Sequence, residues 1–406
     1  MVDRTSRWSS FGGTNVALYL ASRFCSASAM TMMRAAIAWH VFDLSKSAFH
    51  LGLIGLVQFI PVLSLTLLGG AVADSYERRR VIMIAQLVPL SCAAVLFAVT
   101  VRGAESLPIL YSLIACIAIA GAFENPARAA MLPSLVVREV FPRVVTVAST
   151  VQALAFITGP AVGGFIIAAA GVAGAYAAYA GLIVGSLTGL AMVRMRQTDG
   201  ARSGITLQAV REGLRFVLRQ QVVLGCMTLD MFAVIFGGAT ALLPIYANEI
   251  LQVGARGYGI LSASLEAGAL ATSLVLLWSP PIRRAGPALM IAVGIFGVAT
   301  IVFGLSRWFP LSILAYTIAG AADQVSVIMR STAIQLSTPD ELRGRVSAVN
   351  FIFIGASNQL GAAESGFVAY LTSAPFSVVS GGVGCLVVLA IVAATMPALR
   401  RYSTAG

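Results

Sequence analysis

Charge is what this sequence has least of. Only 11% of its 406 residues are Asp, Glu, Lys or Arg, against about a quarter in a soluble globular chain, which leaves no room for a large aqueous domain. Lysine is reduced to Lys46 and histidine to His40 and His50, so no paired-histidine relay is available, and without an aromatic-interleaved basic stretch no nucleic-acid partner is expected. The cysteines, Cys25, Cys92, Cys116, Cys226 and Cys385, fall inside apolar runs without C-x-x-C spacing. That argues against a disulfide framework or a zinc site. A G-x-x-x-x-G-K-[ST] phosphate loop is missing as well, and the reading expects no metal, no cofactor and no enzymatic activity. The first residues carry no short apolar core with a small-residue cleavage site, so a removable signal peptide is not expected.

What remains is apolar: 58% of the residues are hydrophobic and the mean hydropathy is +0.90. A membrane-crossing helix needs about 20 apolar residues, and such stretches can be drawn at 15–42, 50–73, 81–101, 107–131, 145–169, 172–193, 222–248, 257–279, 286–305, 309–336, 346–371 and 375–397. A closed barrel would alternate in polarity, whereas these runs are apolar on every side. The expected fold is an all-α integral membrane protein of twelve transmembrane helices in two six-helix bundles. Residues 1–193 form the first half, 194–221 a linker and 222–406 the second half. An even number of crossings puts both termini on one side, and that side carries nineteen arginines against four basic residues on the other, Lys46, Arg102, Arg256 and Arg307. By the positive-inside rule the termini are cytoplasmic. The linker contains Leu207, Val210, Leu214, Val217 and Leu218 at three- and four-residue spacings, which predicts an amphipathic helix lying on the inner membrane face.

An offset of 202 residues, the separation of Arg128 from Arg330, also superposes Glu139 on Glu341, Arg143 on Arg345, Gly159 on Gly361 and Gly164 on Gly366. The fourth and fifth segments are thus repeated as the tenth and eleventh. Between the second and third segments lies Gly70-Ala-Val-Ala-Asp74 followed by Arg78, Arg79 and Arg80, a tight charged turn at a membrane surface. Arg283 and Arg284 repeat its basic end without the acid. The fifth segment carries Gly159-Pro160-Ala-Val-Gly163-Gly164; its small residues allow close helix approach and its proline removes one internal hydrogen bond.

Ionisable residues inside a membrane span are functional candidates by default. They are Arg23 and Arg34 in segment 1, Glu124 and Arg128 in segment 4, Asp230 in segment 7, Glu266 in segment 8, Asp323 and Arg330 in segment 10, and Glu364 in segment 11. Glu124 and Arg128, four residues apart, share one helix face, and the seven residues from Asp323 to Arg330 keep those two on one face.

The two related six-segment halves, the long linker and the G-x-x-x-D…R-R loop resemble the major facilitator superfamily. Phe123-Glu-Asn-Pro-Ala-Arg128 and Thr338-Pro-Asp-Glu-Leu-Arg-Gly-Arg345 resemble its enterobactin-exporter-like branch of bacterial drug and siderophore exporters. Ser75 departs from the family pattern, where an arginine is usual. The resemblance implies that segments 1, 4, 7 and 10 line a central cavity and that the Gly159–Gly164 motif belongs to exporters. It also implies that Asp74 meets the start of segment 11, near Ser347, as a conformational latch with Arg79 or Arg80.

The expectation is therefore a monomeric secondary exporter of small amphiphilic molecules in the bacterial inner membrane, with a small-molecule substrate, protons and the lipid bilayer as its partners. Asp323 is the first candidate for proton coupling, followed by Glu124 and Asp230. Arg34, Trp39, Phe123, Arg128 and Arg330 are candidate cavity residues. Gly70, Asp74, Arg78, Arg79, Arg80, Gly159, Pro160, Gly163 and Gly164 are the candidate gating elements. A symporter or lipid transporter on the same fold, and a ligand sensor that moves nothing, are the alternatives.

Overall fold

The computed structural model describes residues 12–136, 140–193, 207–280 and 282–403. Arg4, Arg7, Arg138, Arg194, Arg196 and Arg202, which entered the orientation count, lie outside them, as does the side chain of Asp74. All regular structure among the described residues is helical: α1 (Gly12–Ser45), α2 (Ala48–Ser75), α3 (Arg78–Val101), α4 (Leu107–Leu135), α5 (Phe141–Met192), α6 (Leu207–Arg219), α7 (Gln221–Phe236), α8 (Ala239–Ile245), α9 (Gly254–Trp278), α10 (Ala285–Leu305), α11 (Phe309–Leu336), α12 (Asp340–Leu371), α13 (Ala374–Thr395) and α14 (Pro397–Arg400). In a bilayer a helix satisfies every backbone group within itself, and the outward faces carry Ile60, Ile84, Ile291 and Val275, all well exposed, as lipid contact requires.

Nine helical stretches among the described residues are long and apolar enough to cross a membrane. The serines and arginines of α1, and the Asn, Gln, Ser and Glu residues of α12, keep these two long helices outside that group. Helix α5 is one of the nine, yet a straight helix of its 52 residues would be about 78 Å long, far beyond the ~30 Å of a hydrocarbon core. Gly171, at φ 69° and ψ −178°, breaks it, in a region of backbone space open essentially to glycine alone. Contacts with α1 fix the result. Arg23, Ser28 and Thr31 meet Gln152, Thr158 and Gly159 in ascending order, whereas Leu18, Ser22 and Cys25 meet Gly189, Ser186 and Gly185 in descending order. The two parts of α5 therefore run antiparallel, and the break at Gly171 reverses the chain.

The contacts divide the chain into two units. The first holds the described residues up to Ile37 and from Ser64 to Val193. Its core gathers Tyr19, Ile82, Ala127, Met131, Val144 and Leu190. The second holds Ala38–Leu63 and everything from α6 onward, with Val223, Cys226, Leu289, Val346 and Leu399 among its core residues. Within it the first part of α2 lies close against α12, where Cβ atoms at Gly52 and Gly55 would meet backbone of Ala363, Gly366 and Gln359. Here α7 stops at Phe236, Gly237 and Gly238 interrupt it, and α8 continues into one π-helical turn at Tyr246–Ile250, so the run 222–248 is not one continuous helix.

Helix α6 forms, and it packs against α12. Val217 is 1% exposed in the core of the second unit. Gly213 lies so near the carbonyl of Arg345 that a Cβ would stand 2.7 Å from it, and Glu212 pairs with Arg345 at 2.6 Å. Of the predicted stripe, Val217 is buried and Leu214 and Leu218 are exposed, while the side chains of Leu207 and Val210 lie outside the described residues.

Candidate functional site

In the first unit a buried polar network joins α1, α3, α4 and the second part of α5. Glu124 Oε1 accepts hydrogen bonds from Arg128 Nη2 at 2.6 Å and Nε at 3.1 Å, as the four-residue spacing predicts. The same oxygen accepts from Gln86 Nε2 at 2.9 Å and from Ser26 Oγ at 3.3 Å. Gln86, fully buried, also donates to Ser26 and accepts from Ser186, whose hydroxyl meets that of Ser22 at 3.0 Å. Tyr19 donates to the backbone carbonyl of Arg128 at 3.1 Å, and Arg23 donates to Gln152. A buried charge is tolerated when it is paired and its remaining hydrogen-bonding capacity is used, and this network uses most of it.

The second unit handles its arginine differently. Arg330, 4% exposed, pairs with Asp230 of α7 rather than with an acid on its own helix. Its neighbour two turns back, Asp323, takes no part in that pair. Instead Asp323 lines a cavity of about 140 Å³ together with Thr240 of α8, Thr300 of α10, Tyr316 of α11 and Asn358 of α12, and with Gly237 and Gly238 at the break. Thr240 Oγ1 and the Tyr316 hydroxyl lie 2.7 Å apart. No ion pair of Asp323 is found among the described residues. Glu364 accepts from Ser365 at 3.2 Å.

The remaining candidates are distributed between the two units. Arg34 is exposed on α1 and Phe123 is half-buried on α4, both in the first unit. Trp39 belongs to the second, where its ring tilts against that of Tyr258 with centroids 5.4 Å apart. In the charged turn two of the arginines bind backbone carbonyls of neighbouring helices. Arg78 donates to the carbonyl of Ala130 at 2.8 Å, and Arg79 to those of Val193 at 2.8 Å and Ala191 at 3.3 Å, where the α5 dipole is negative. Glu77 pairs with both Arg79 and Arg80. Close approach of α2 to α4 falls on Gly69, where a Cβ would collide with the carbonyl of Ala122, while Gly70 has open space around it. Gly159 and Pro160 are buried, and a Cβ on Gly159 would strike Ser28 and Thr31 of α1; one on Gly163 would stand 3.0 Å from Met32. Gly164 is buried beside them.

Sequence reasoning passed over Gln86, Ser26 and Ser186, and over Thr240, Tyr316 and Asn358. Isolated amide and hydroxyl residues in otherwise apolar segments, and the Gly237-Gly238 pair within one of them, were the available signals.

The transmembrane secretion effector family model matches residues 5–404. The multidrug efflux pump Tap of Mycolicibacterium fortuitum is 27% identical over 386 residues, spanning 91% of this chain and 93% of that protein. The enterobactin exporter EntS of Escherichia coli O81 is 24% identical over 396 residues, spanning 95% and 92%. Among solved structures, a bacterial homologue of the human lysosomal transporter Spinster, inward-facing and unoccupied, superposes with a TM-score of 0.76 at 13% identity, covering 98% of this chain and all of the other. A peptide transporter POT in complex with sulfate superposes at 0.73, also at 13% identity, with 99% of each chain covered. Helical architecture, membrane spans and family match converge: the chain belongs to the transmembrane secretion effector family of the major facilitator superfamily, and is a multi-pass membrane transporter.

Proposed function

We propose that the protein exports small amphiphilic molecules of the drug or siderophore type across the bacterial inner membrane, by alternating access and in exchange for protons, with Asp323 as the coupling carboxylate. The observation that carries this reading is the contrast among the three candidate acids. Glu124 and Asp230 are each tied to an arginine, whereas Asp323 faces a cavity without such a partner among the described residues. A group that must gain and lose a proton has to be reachable and not locked by a fixed counter-charge. The names of the relatives, a multidrug efflux pump and an enterobactin exporter, favour export and suggest the cargo classes to test.

In this reading the spans number twelve, because α5 counts as two and α1 and α12 cross as polar-lined helices inside their bundles. The halves are residues 1–193 and 222–406 with 194–221 as linker, the termini are cytoplasmic and the working unit is a monomer. Arg128 and Arg330 help to shape the cavity, with Arg34, Trp39 and Phe123 as further contacts. The turn carrying Gly70, Asp74 and Arg78–Arg80, together with Gly159, Pro160, Gly163 and Gly164, is assigned to gating. The capping of α5 by Arg79 and the tight contact at Gly159 suit that role, since both transmit movement between helices without slack.

The test is transport in inverted vesicles or proteoliposomes with ethidium and enterobactin as probes, under an imposed proton gradient. Export accelerated by protons moving in the opposite direction, and lost with Asp323→Asn, is the expected outcome. Accumulation that needs the reverse gradient, or full proton-driven export by the variant, rejects the mechanism.

A further inference from the structure

Of the acids on the spanning helices of the second unit, the arginine neutralises only one. Arg330 is committed to Asp230, which leaves Asp323 on a membrane-spanning helix with no ion pair among the described residues. An ionised carboxylate in such a place is costly unless a positive charge joins it.

The surroundings of Asp323 supply several oxygen lone pairs. Thr300 has its hydroxyl proton engaged by the carbonyl of Phe296 at 2.8 Å, and Asn358 donates to the carbonyl of Ile354 at 2.9 Å. Thr240 Oγ1 and the Tyr316 hydroxyl are hydrogen-bonded at 2.7 Å, one donating to the other, which leaves one O–H and the remaining lone pairs of the pair for other partners. Their acceptor capacity is left for whatever enters the cavity. The α7 break adds to this, because Val234, Gly237 and Gly238 line the same space; the Gly237 and Gly238 carbonyls accept from the N–H groups of Ala239 at 2.7 Å and Ala241 at 3.1 Å, and each keeps a second lone pair. Interrupted membrane helices use such carbonyls to coordinate cations. A volume of about 140 Å³ holds a few waters at ~30 Å³ each, or one small ion with part of its hydration shell. No group of three or more His, Cys, Asp or Glu side chains able to hold a metal occurs among the described residues, and one carboxylate among neutral oxygens balances a single positive charge.

We propose that the cavity around Asp323 is a binding site for a small monovalent cation, with the carboxylate supplying the charge and the oxygens of Thr240, Thr300, Tyr316 and Asn358 the further ligands. This goes beyond the exporter reading, resting only on Asp323 being open to exchange and not on the direction of transport or on the coupling ion. The same chemistry serves two sources, an alkali-metal ion that drives transport or the ammonium head of a cationic cargo.

Calorimetric titration of the purified full-length protein in detergent, in a buffer whose only other cation is bulky N-methylglucamine, tests it. Sodium, potassium and tetramethylammonium chlorides are the probes, and wild type, Asp323→Asn and Asn358→Ala are compared, each first checked for a single cooperative melting transition. Saturable binding of at least one probe is expected, weakened about tenfold or more in Asp323→Asn, a loss of at least ~1.4 kcal/mol, and several-fold in Asn358→Ala. Preference for sodium or potassium identifies an inorganic ion as the occupant, and preference for tetramethylammonium identifies a cargo head group. Absence of saturable binding by folded wild type, or equal binding by wild type and both variants, overturns the proposal. Because neither a gradient nor cargo movement enters this measurement, failed export with intact cation binding would count against the exporter reading alone.

Discussion

Arg128 and Arg330 occupy repeat-related positions, yet the two units neutralise them in opposite ways. In the first, the acid sits on the arginine's own helix, as Glu124, and a serine of α1, Ser26, completes the contact. In the second, the acid has moved to α7 as Asp230, and the position 202 residues beyond Glu124 is Ser326, a buried serine. Carboxylate and serine have thus exchanged helices between the repeats while net charge around the arginine is preserved. A buried guanidinium requires one negative charge within reach and is indifferent to which helix presents it. The first unit then ties its acid to Gln86 and Ser26 as well as to the arginine, whereas no side chain other than Arg330 is seen bonded to Asp230 among the described residues; each arginine keeps a buried nitrogen without a hydrogen-bond partner, Nη1 of Arg128 and Nε of Arg330. The better-solvated pair is expected to survive damage better.

That difference can be broken most forcefully at the second arginine. Arg330→Met leaves Asp230 buried without a counter-charge and should cost roughly 3–5 kcal/mol. Unfolding monitored in detergent should reveal this as a large drop in stability, with most of it regained in the double variant Asp230→Leu/Arg330→Met. A drop equal in the single and double variants would show that packing, not charge, is at stake. A smaller loss, about 1–3 kcal/mol, is expected for Glu124→Ala, because this pair is less deeply buried, its side chains 12% and 16% exposed. Adding Ser26→Asp should recover part of it by imitating the arrangement of the second unit; no recovery would mean the two networks are not interchangeable. The smallest effect, about 0.3–1 kcal/mol, belongs to Arg79→Ala, which removes the cation at the carboxyl end of α5, and it should appear as faster amide exchange at the end of that helix before it appears in global stability.

Much of this architecture could be read from the chain. Helical spans follow from apolar length, and the Glu124–Arg128 pair follows from spacing along one helix, because both depend on local geometry alone. The partner of Arg330 was not readable, since Asp230 lies a hundred residues away and only packing brings α7 against α11. The interruption at Gly237-Gly238 was hidden inside an apolar run, because glycine is as acceptable to hydropathy as any small residue. The stripe on α6 included Val217, which is buried, but did not disclose that Gly213 would seat the helix on the backbone of α12. The cavity around Asp323 needed four helices, α8, α10, α11 and α12, to be placed before its hydroxyl and amide residues could be recognised as neighbours.

The single residue that turns α5 back on itself has a consequence for biosynthesis. With no loop between the two antiparallel parts, the chain from Phe141 to Met192 has nothing to leave outside the bilayer between one crossing and the next. Neither arm can be threaded and held while the other waits for translation to supply a connection. The pair is therefore expected to enter the membrane together as a preformed helical hairpin, with Gly171 committing both arms to a single insertion event.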